Sequence, residues 1–325
     1  MSSPAFIITV DTEGDNLWSR PHEITTRNAD YLPRFQALCE RHRLRPTYLV
    51  NYEMATCDTF VRFGRDVLAR GKGEIGMHLH AWNSPPLVPL TDDDFHYQPY
   101  LVEYPDHVMK EKIDTLTALL EDRFGVPMES HRAGRWGFDG RYAAMLRDAG
   151  YRVDCSVTPG VDWTPSPGAP QGRGGSNYTS FPDRPYFVDG PDIAQPAERG
   201  LLEVPVTIRT SPLYRAVQSV YRVPVVRSIA NRLSRGLRWV CPAESALPDM
   251  LQAAHGARRA GAGHVEMALH SSELMPGGSP SFRSIAAVEQ LYADLDVLFA
   301  DLGQWCRGMT LTEYANDFAG AGRPS

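Results

Sequence analysis

The 325-residue sequence predicts an α/β fold in which parallel strands are joined by helical crossovers. Two observations predict it. Short apolar, β-branched runs alternate with longer amphipathic stretches from one end of the chain to the other. The residues able to do chemistry close the predicted strands, and in a (β/α) barrel the C-terminal strand ends are where sites are built. A barrel and an open sheet both fit this alternation.

The first strand is Ala5 to Asp11, and a helix follows over Asn28 to His42. RPTYLVN reads as a second buried strand ending at Asn51. Phe60 to Arg70 is helical, with Gly71 and Gly73 as stop signals. EIGMHLH is a third strand. Pro85, Pro86 and Pro89 mark a long loop, and Asp106 to Phe124 is the clearest amphipathic helix. SHRAGRWG follows a turn. Arg141 to Ala149 is helical, and YRVDCSV is a strand. Thr158 to Pro196 is rich in Pro, Gly, Ser and Asp and reads as an ordered excursion. Leu201 to Thr210 resumes as a strand. The last third offers a helix over Leu247 to Gly261, the strand HVEMALH, a helix from Ser284 to Leu302, and a final strand and helix near Met309 to Phe318. The expected organisation is a single domain over 1–325 with an inserted lid region at about 158–240.

Composition sets limits on function. Hydrophobic residues make up 42%, enough for a large packed core. The net charge of −6 gives no support to nucleic-acid binding. The N-terminal apolar run FIITV is too short for a signal-peptide core and lacks a basic leader. No stretch has the length of a membrane span. The expectation is a cytoplasmic protein without a transmembrane segment. The five cysteines are scattered and form no CxxC pair, so reduced thiols and no thiol mechanism are expected.

Four groups of residues carry the chemistry. Asp11 and Glu13 end a buried strand two residues apart, so their side chains share a face. Unpaired carboxylates there would cost several kcal/mol. His78 and His80, in GEIGMHLHAW, also share a face if the strand persists. With the carboxylates they make a plausible two-nitrogen, one-oxygen shell for a divalent metal. Arg132 and Arg135 stand in HRAGRWG, and an arginine can clamp a carboxylate at two points. His270, with Glu273 close behind, ends the strand MALH and can carry a proton near neutral pH. Each group alone also has an ordinary reading: loop caps, packed histidines, surface ion pairs, a core histidine.

In order, these segments resemble the polysaccharide deacetylase family, or NodB homology domain. The segments are TVDTEGD, EIGMHLHAWNSP, HRAGRWG, YRVDCSVTP and MALHSSEL, spanning roughly residues 5 to 275. Their wording is most similar to the WalW-like branch, associated with bacterial surface glycans. The resemblance implies a distorted (β/α) barrel of about seven parallel strands and a metal-dependent hydrolase. That enzyme would remove an N-acetyl group from an amino sugar, with a divalent metal, zinc by preference. It implies Asp11 as the general base, Glu13, His78 and His80 as metal ligands, and Arg132 as the residue that positions the base. Asp154 would tune the acid, His270 would protonate the leaving amine, and Leu269 would line the acetyl pocket. Trp82, Arg135, Trp136 and Glu273 are the expected substrate contacts. Two departures stand out. Thr12 separates carboxylates that the family places side by side. Position 82 is Trp where the family's HxxxH has its second histidine, which leaves His80, with Asn83 as the one weaker oxygen donor nearby.

Other readings remain open: an amidohydrolase or deformylase acting on another small amide, and an inactive glycan-binding homologue. A glycosidase acid pair fits poorly, because two residues of one strand do not flank a glycosidic bond. Seven arginines without an acid lie between Glu203 and Glu244: Arg209, Arg215, Arg222, Arg227, Arg232, Arg235 and Arg238. They read as a solvated face. The sharper alternative is contact with an anionic or lipid-linked glycan, or with a membrane surface.

Overall fold

The computed structural model describes residues 3–210 and 236–321. Strand β1 (Ala5–Thr12) is buried along its whole length. Both of its faces are covered, which is why it reads as a continuous apolar run. The other strands are β2 (Thr47–Val50), β3 (Glu74–Leu79), β4 (Ser130–Ala133), β5 (Val153–Asp154), β6 (Tyr186–Val188), β7 (Leu201–Glu203), β8 (Ile208–Thr210), β9 (Leu237–Trp239), β10 (His264–His270) and β11 (Arg307–Met309). The main sheet has the order β10-β1-β2-β3-β4-β5-β7-β6, with β11 also on β1. One edge of β1 pairs with β10 from Ala5↔His264 to Asp11↔His270. Its other edge is shared between β11 and β2. Eight strands are parallel, and β6 is antiparallel to β7. β8 and β9 form a separate antiparallel pair.

The sheet curls into a distorted barrel. Leu201 to Thr210, expected as one strand, divides into β7 and β8. Between them Val204 N–H donates to Asp154 O at 2.8 Å and Val206 N–H to Val157 O at 3.1 Å. Thr207 then crosses to the far side: its N–H reaches Glu266 O at 3.3 Å, and its hydroxyl accepts from Glu266 N–H at 2.9 Å. A few bonds rather than a ladder close the gap between β7 and β10. Pro205 has no N–H to give, which prevents a regular strand there.

Residue alternation sorts the two faces. Phe6, Ile8, Val10, Val265, Met267 and Leu269 belong to the large core between strands and helices. Ala5, Ile7, Leu49, Val153, Leu202 and Met309 fill the barrel interior near the strand starts. Thr9, Arg132 and Glu266, all buried, come next along the interior, and Asp11, His78 and His270 follow at the strand ends. The interior therefore turns from apolar to polar toward one mouth.

The longer helices lie close to their predicted spans, and two short ones, at Tyr52–Ala55 and Asp94–Tyr97, were not expected. They are α1 (Leu32–Arg41), α2 (Tyr52–Ala55), α3 (Asp58–Ala69), α4 (Asp94–Tyr97), α5 (Asp106–Phe124), α6 (Gly140–Asp148), α7 (Leu247–Arg259), α8 (Ile285–Leu302) and α9 (Leu311–Ala321). A 3-10 turn over Arg27–Tyr31 takes the place of the first turn expected for α1. α5 ends where Gly125 adopts φ 69°, and the Ser284 side chain caps α8. No described helix is long and apolar enough to cross a membrane. Of the arginine-rich stretch, Arg215, Arg222, Arg227, Arg232 and Arg235 lie outside the described residues. Arg209 pairs with Asp183, and Arg238 Nε lies 3.0 Å from Asp249.

Candidate active site

β1 delivers Asp11 and, one step beyond its end, Glu13; β3 delivers His78 and, one step beyond its end, His80. All four are at least nine-tenths buried. His80 Nε2 lies 3.3 Å and His78 Nε2 3.6 Å from Glu13 Oε2, and the two imidazole nitrogens are 3.0 Å apart. His78 Nδ1 is 2.9 Å from Arg132 O, a bond only its N–H can make, so Nε2 is the nitrogen turned to the site. These three residues form a group able to hold a metal ion. The spacings suit one: donors on two corners of a tetrahedron with ~2.1 Å bonds sit about 3.4 Å apart. The donor set, two imidazoles and a carboxylate, is that of a catalytic divalent site with a position left for water.

The extended HxH spacing works because of two neighbours. The His80 ring stacks on Trp82 at 4.3 Å with planes 20° apart. Its other side lies against Gly134, where a Cβ would come within 2.4 Å of His80 Cδ2.

Asp11 stands beside this group. Arg132, fully buried, donates from Nη1 to Asp11 Oδ1 at 2.6 Å, from Nη2 to Thr9 Oγ1 at 2.6 Å and to Glu266, and from Nε to Cys155 O at 3.1 Å. Burial raises the Asp11 pKa, but the Arg132 charge and the His78 and His270 imidazoles outweigh it and hold the carboxyl below its ordinary value. His270 faces Asp11 from the neighbouring strand end, with Nε2 3.8 Å from Asp11 Oδ2 and 4.0 Å from Glu13 Oε1. Its Nδ1–H donates to Glu273 Oε1 at 2.8 Å. Burial lowers the His270 pKa, yet Glu13, Glu273 and Asp11 together push it up to about 10.

Three expected roles change. Asp154 does not reach His270: its Oδ1 is 2.5 Å from His131 Nδ1, and His131 Nε2 is 2.8 Å from the Tyr142 hydroxyl. Asp154 pairs with strand β7 through Glu203 rather than with β10, so it sits away from the acid. Glu273, expected at the substrate, is fully buried and is the carboxylate that holds His270. Leu269 does not line an acetyl pocket. Strand alternation turns Glu266 and His270 inward, so Leu269 packs outward in the helix-facing core.

A cavity of about 260 Å³ opens above Asp11, Glu13 and His270. Trp82 and Trp136 line it, joined by Trp18, Tyr100 and Trp163. Arg135 also lines it, but its guanidinium is engaged with main-chain oxygens, Gln98 O and, at 2.8 Å, Pro167 O, and lies 4.3 Å from the Tyr100 ring. It ties two cavity loops together. Arg135 and Trp136 both have positive φ, 55° and 60°, a strained backbone held at the cavity floor.

Sequence reasoning missed Glu53, Glu266 and the aromatic walls. Glu53 accepts from Gly14 N–H at 2.9 Å, Asn51 Nδ2 at 2.6 Å and Asn83 Nδ2 at 2.7 Å, joining the loops that follow Glu13 and His80. The bond engages Asn83 through Nδ2; Asn83 Oδ1, the alternative oxygen donor, is buried and has no hydrogen-bond partner among the described residues. Glu266 was legible: an acid within the apolar strand HVEMALH needs a partner, and Arg132 is that partner.

No protein-family model matches the chain, and no curated protein matches it. Solved structures do. A provisionally assigned polysaccharide deacetylase from Mycobacterium smegmatis aligns over 100% of this chain and 96% of its own, with a TM-score of 0.53 and 14% identity. A provisionally assigned glycoside hydrolase/deacetylase from Parabacteroides distasonis aligns over 98% of this chain and 72% of its own, with a TM-score of 0.60 and 10% identity. The fold is that of the polysaccharide deacetylases, a mostly parallel curled sheet wrapped by helices. Within that fold, this chain carries its own Glu13–His78–His80 group at the mouth where a (β/α) barrel builds its site.

Proposed function

We propose that the protein is a metal-dependent carbohydrate N-deacetylase. One observation carries this reading: Asp11, clamped by Arg132, and His270, held by Glu273, face each other 3.8 Å apart beside the Glu13–His78–His80 group. Glu13, His78 and His80 would hold a divalent ion, zinc by our inference. When bound, it supplies a Lewis acid that polarises the acyl oxygen and acidifies water.

The chain's own residues do the rest. Asp11, with Oδ1 occupied by Arg132, keeps Oδ2 free to take a proton from the attacking water. Arg132 holds that carboxylate in its ionised form. His270 Nε2–H gives its proton to the leaving nitrogen as the amide C–N bond breaks, yielding acetate and the free amine. Glu273 fixes the ring so that Nε2, not Nδ1, faces the substrate. Acid and base thus hold opposite protonation states at one pH, because Glu273 and Glu13 act on one and Arg132 on the other. The tryptophan walls offer flat apolar surfaces to sugar faces. We infer an acetamido sugar of a surface glycan or its precursor as substrate.

Acetate release from N-acetylhexosamine oligomers, with zinc or cobalt supplied, tests this reading. Asp11→Asn and His270→Gln should each lower kcat at least a hundredfold. Less than about a tenth of an equivalent of bound metal after zinc addition would rule the proposal out. Activity confined to formyl or non-sugar amides would redirect it to another amide.

A further inference from the structure

Trp18 is 44% exposed, unusual for the largest side chain, and stands edge-on to the His270 ring at 4.9 Å. The turn that carries it is anchored on both sides. This turn, Leu17–Ser19, is flanked by Asn16 and Arg20, both left-handed with φ 47° and 54°. Asn16 N–H donates to Gly278 O at 2.9 Å, and Arg20 Nη1 to His96 O at 2.6 Å. Two non-glycine residues in that conformation cost free energy, so the fold maintains an exposed indole beside the acid.

Beyond Trp18 lies a second cavity of about 430 Å³, which Trp18 shares with the reaction cavity. Asn16, Ser19 and Ser279 give it polar walls, and Arg283 provides its only charged side chain. The loop carrying Ser279 and Arg283 is ordered by its own bonds: Gly277 N–H to Phe282 O at 2.9 Å, Phe282 N–H to Ser279 Oγ at 3.2 Å, and Arg283 Nε to Pro280 O at 2.9 Å. Among the described residues, Arg283 has no carboxylate partner. The two cavities therefore differ in charge. The reaction cavity sets the acids Asp11, Glu13 and Glu244 beside Arg135 and His270, whereas the second presents a cation and no acid.

We propose that Trp18 and Arg283 form a flanking subsite for a sugar unit bearing a carboxylate or phosphate. It would be joined to the acetamido sugar at the reaction centre, with its face on the indole and its anion on the guanidinium. This rests on the deacetylase reading. Arginine suits planar, two-point recognition of either anion.

Isothermal titration of zinc-supplied Asp11→Asn, and of chelator-treated wild type, tests it. The probes are three disaccharides of N-acetylhexosamine: with a uronic acid, with a sugar phosphate, and with the carboxyl-reduced neutral sugar. At least one anionic probe should bind tenfold or more tighter than the neutral one, the stronger of the two identifying the anion. Arg283→Gln should abolish that preference, and Trp18→Ala should weaken all three probes. Equal affinity for the three, or no change in preference with Arg283→Gln, overturns the subsite. Acetate release from neutral oligomers by wild type is measured alongside. If it persists while the preference is absent, this inference alone fails; if no oligomer is deacetylated, the catalytic reading fails, and the affinities still decide the subsite.

Discussion

At the scale of single residues, the departure from HxxxH becomes intelligible through a glycine. An HxH pair on extended backbone points both rings to one face, so the second ring needs room where the neighbouring strand β4 ends. Gly134 leaves that room: a Cβ there would meet His80 Cδ2 at 2.4 Å and the Leu79 carbonyl oxygen at 2.5 Å. The second obstacle is backbone and cannot swing away. Gly134→Ala should therefore displace His80 and lower zinc affinity tenfold or more, as misplacing a ligand does. Equilibrium dialysis reads this directly; unchanged affinity would mean that His80 is not a ligand. The same scale shows what local sequence conceals. His270 and Glu273 are three residues apart and meet across one short turn, a spacing visible in MALHSSEL. Asp154 took the tuning role only through motif order, and its true partner, His131, became apparent only when β4 and β5 paired.

At the scale of elements, the legible parts were those whose pattern is local. The apolar runs of β1, β3 and β10 and the 3.6-residue spacing of α5 announce themselves. β4 did not, because SHRA has no apolar pattern; His131 and Arg132 are buried there only because Asp154, Asp11 and Glu266 receive them from distant strands. Lys112 is the corresponding case in a helix. It lies on the buried face of α5, and its ammonium donates to Ala81 O at 2.8 Å, Ser84 O at 2.7 Å and Pro86 O at 2.6 Å. All three donors are satisfied, and the loop carrying Trp82 is pinned to the helix. Lys112→Met leaves Ala81 O and Ser84 O without that donor, while Pro86 O keeps the Val88 N–H at 3.0 Å. The expected loss is about 2 kcal/mol or more of stability by urea denaturation, since each stranded buried group costs ~1–3 kcal/mol. A loss under about 1 kcal/mol would show the loop to be held by other contacts.

At the scale of the whole molecule, barrel closure places a charge cluster on the axis. β1 brings Thr9 and Asp11, β4 brings Arg132, and β10 brings Glu266, so one cation meets two carboxylates with no water-facing side. Asp11 is held ionised, and one ionised carboxylate already balances Arg132. Burial accordingly raises Glu266 from 4.5 to about 7, against the pull of Arg132 and the Thr9 hydroxyl. A folded pKa above the unfolded one means that the folded chain binds this proton more tightly. The resulting stabilisation is complete below pH 4.5 and is lost as pH rises through about 7. Its size, from that difference, is about 3 kcal/mol. Glu266→Gln keeps an acceptor for Arg132 and Thr9 but cannot titrate. The difference in unfolding free energy between wild type and Glu266→Gln, measured with chelator present at pH 4.5, 6 and 8, should therefore shift against wild type by about that amount across the window. A constant difference would show that Glu266 stays ionised throughout, and that the barrel axis carries two negative charges against one positive.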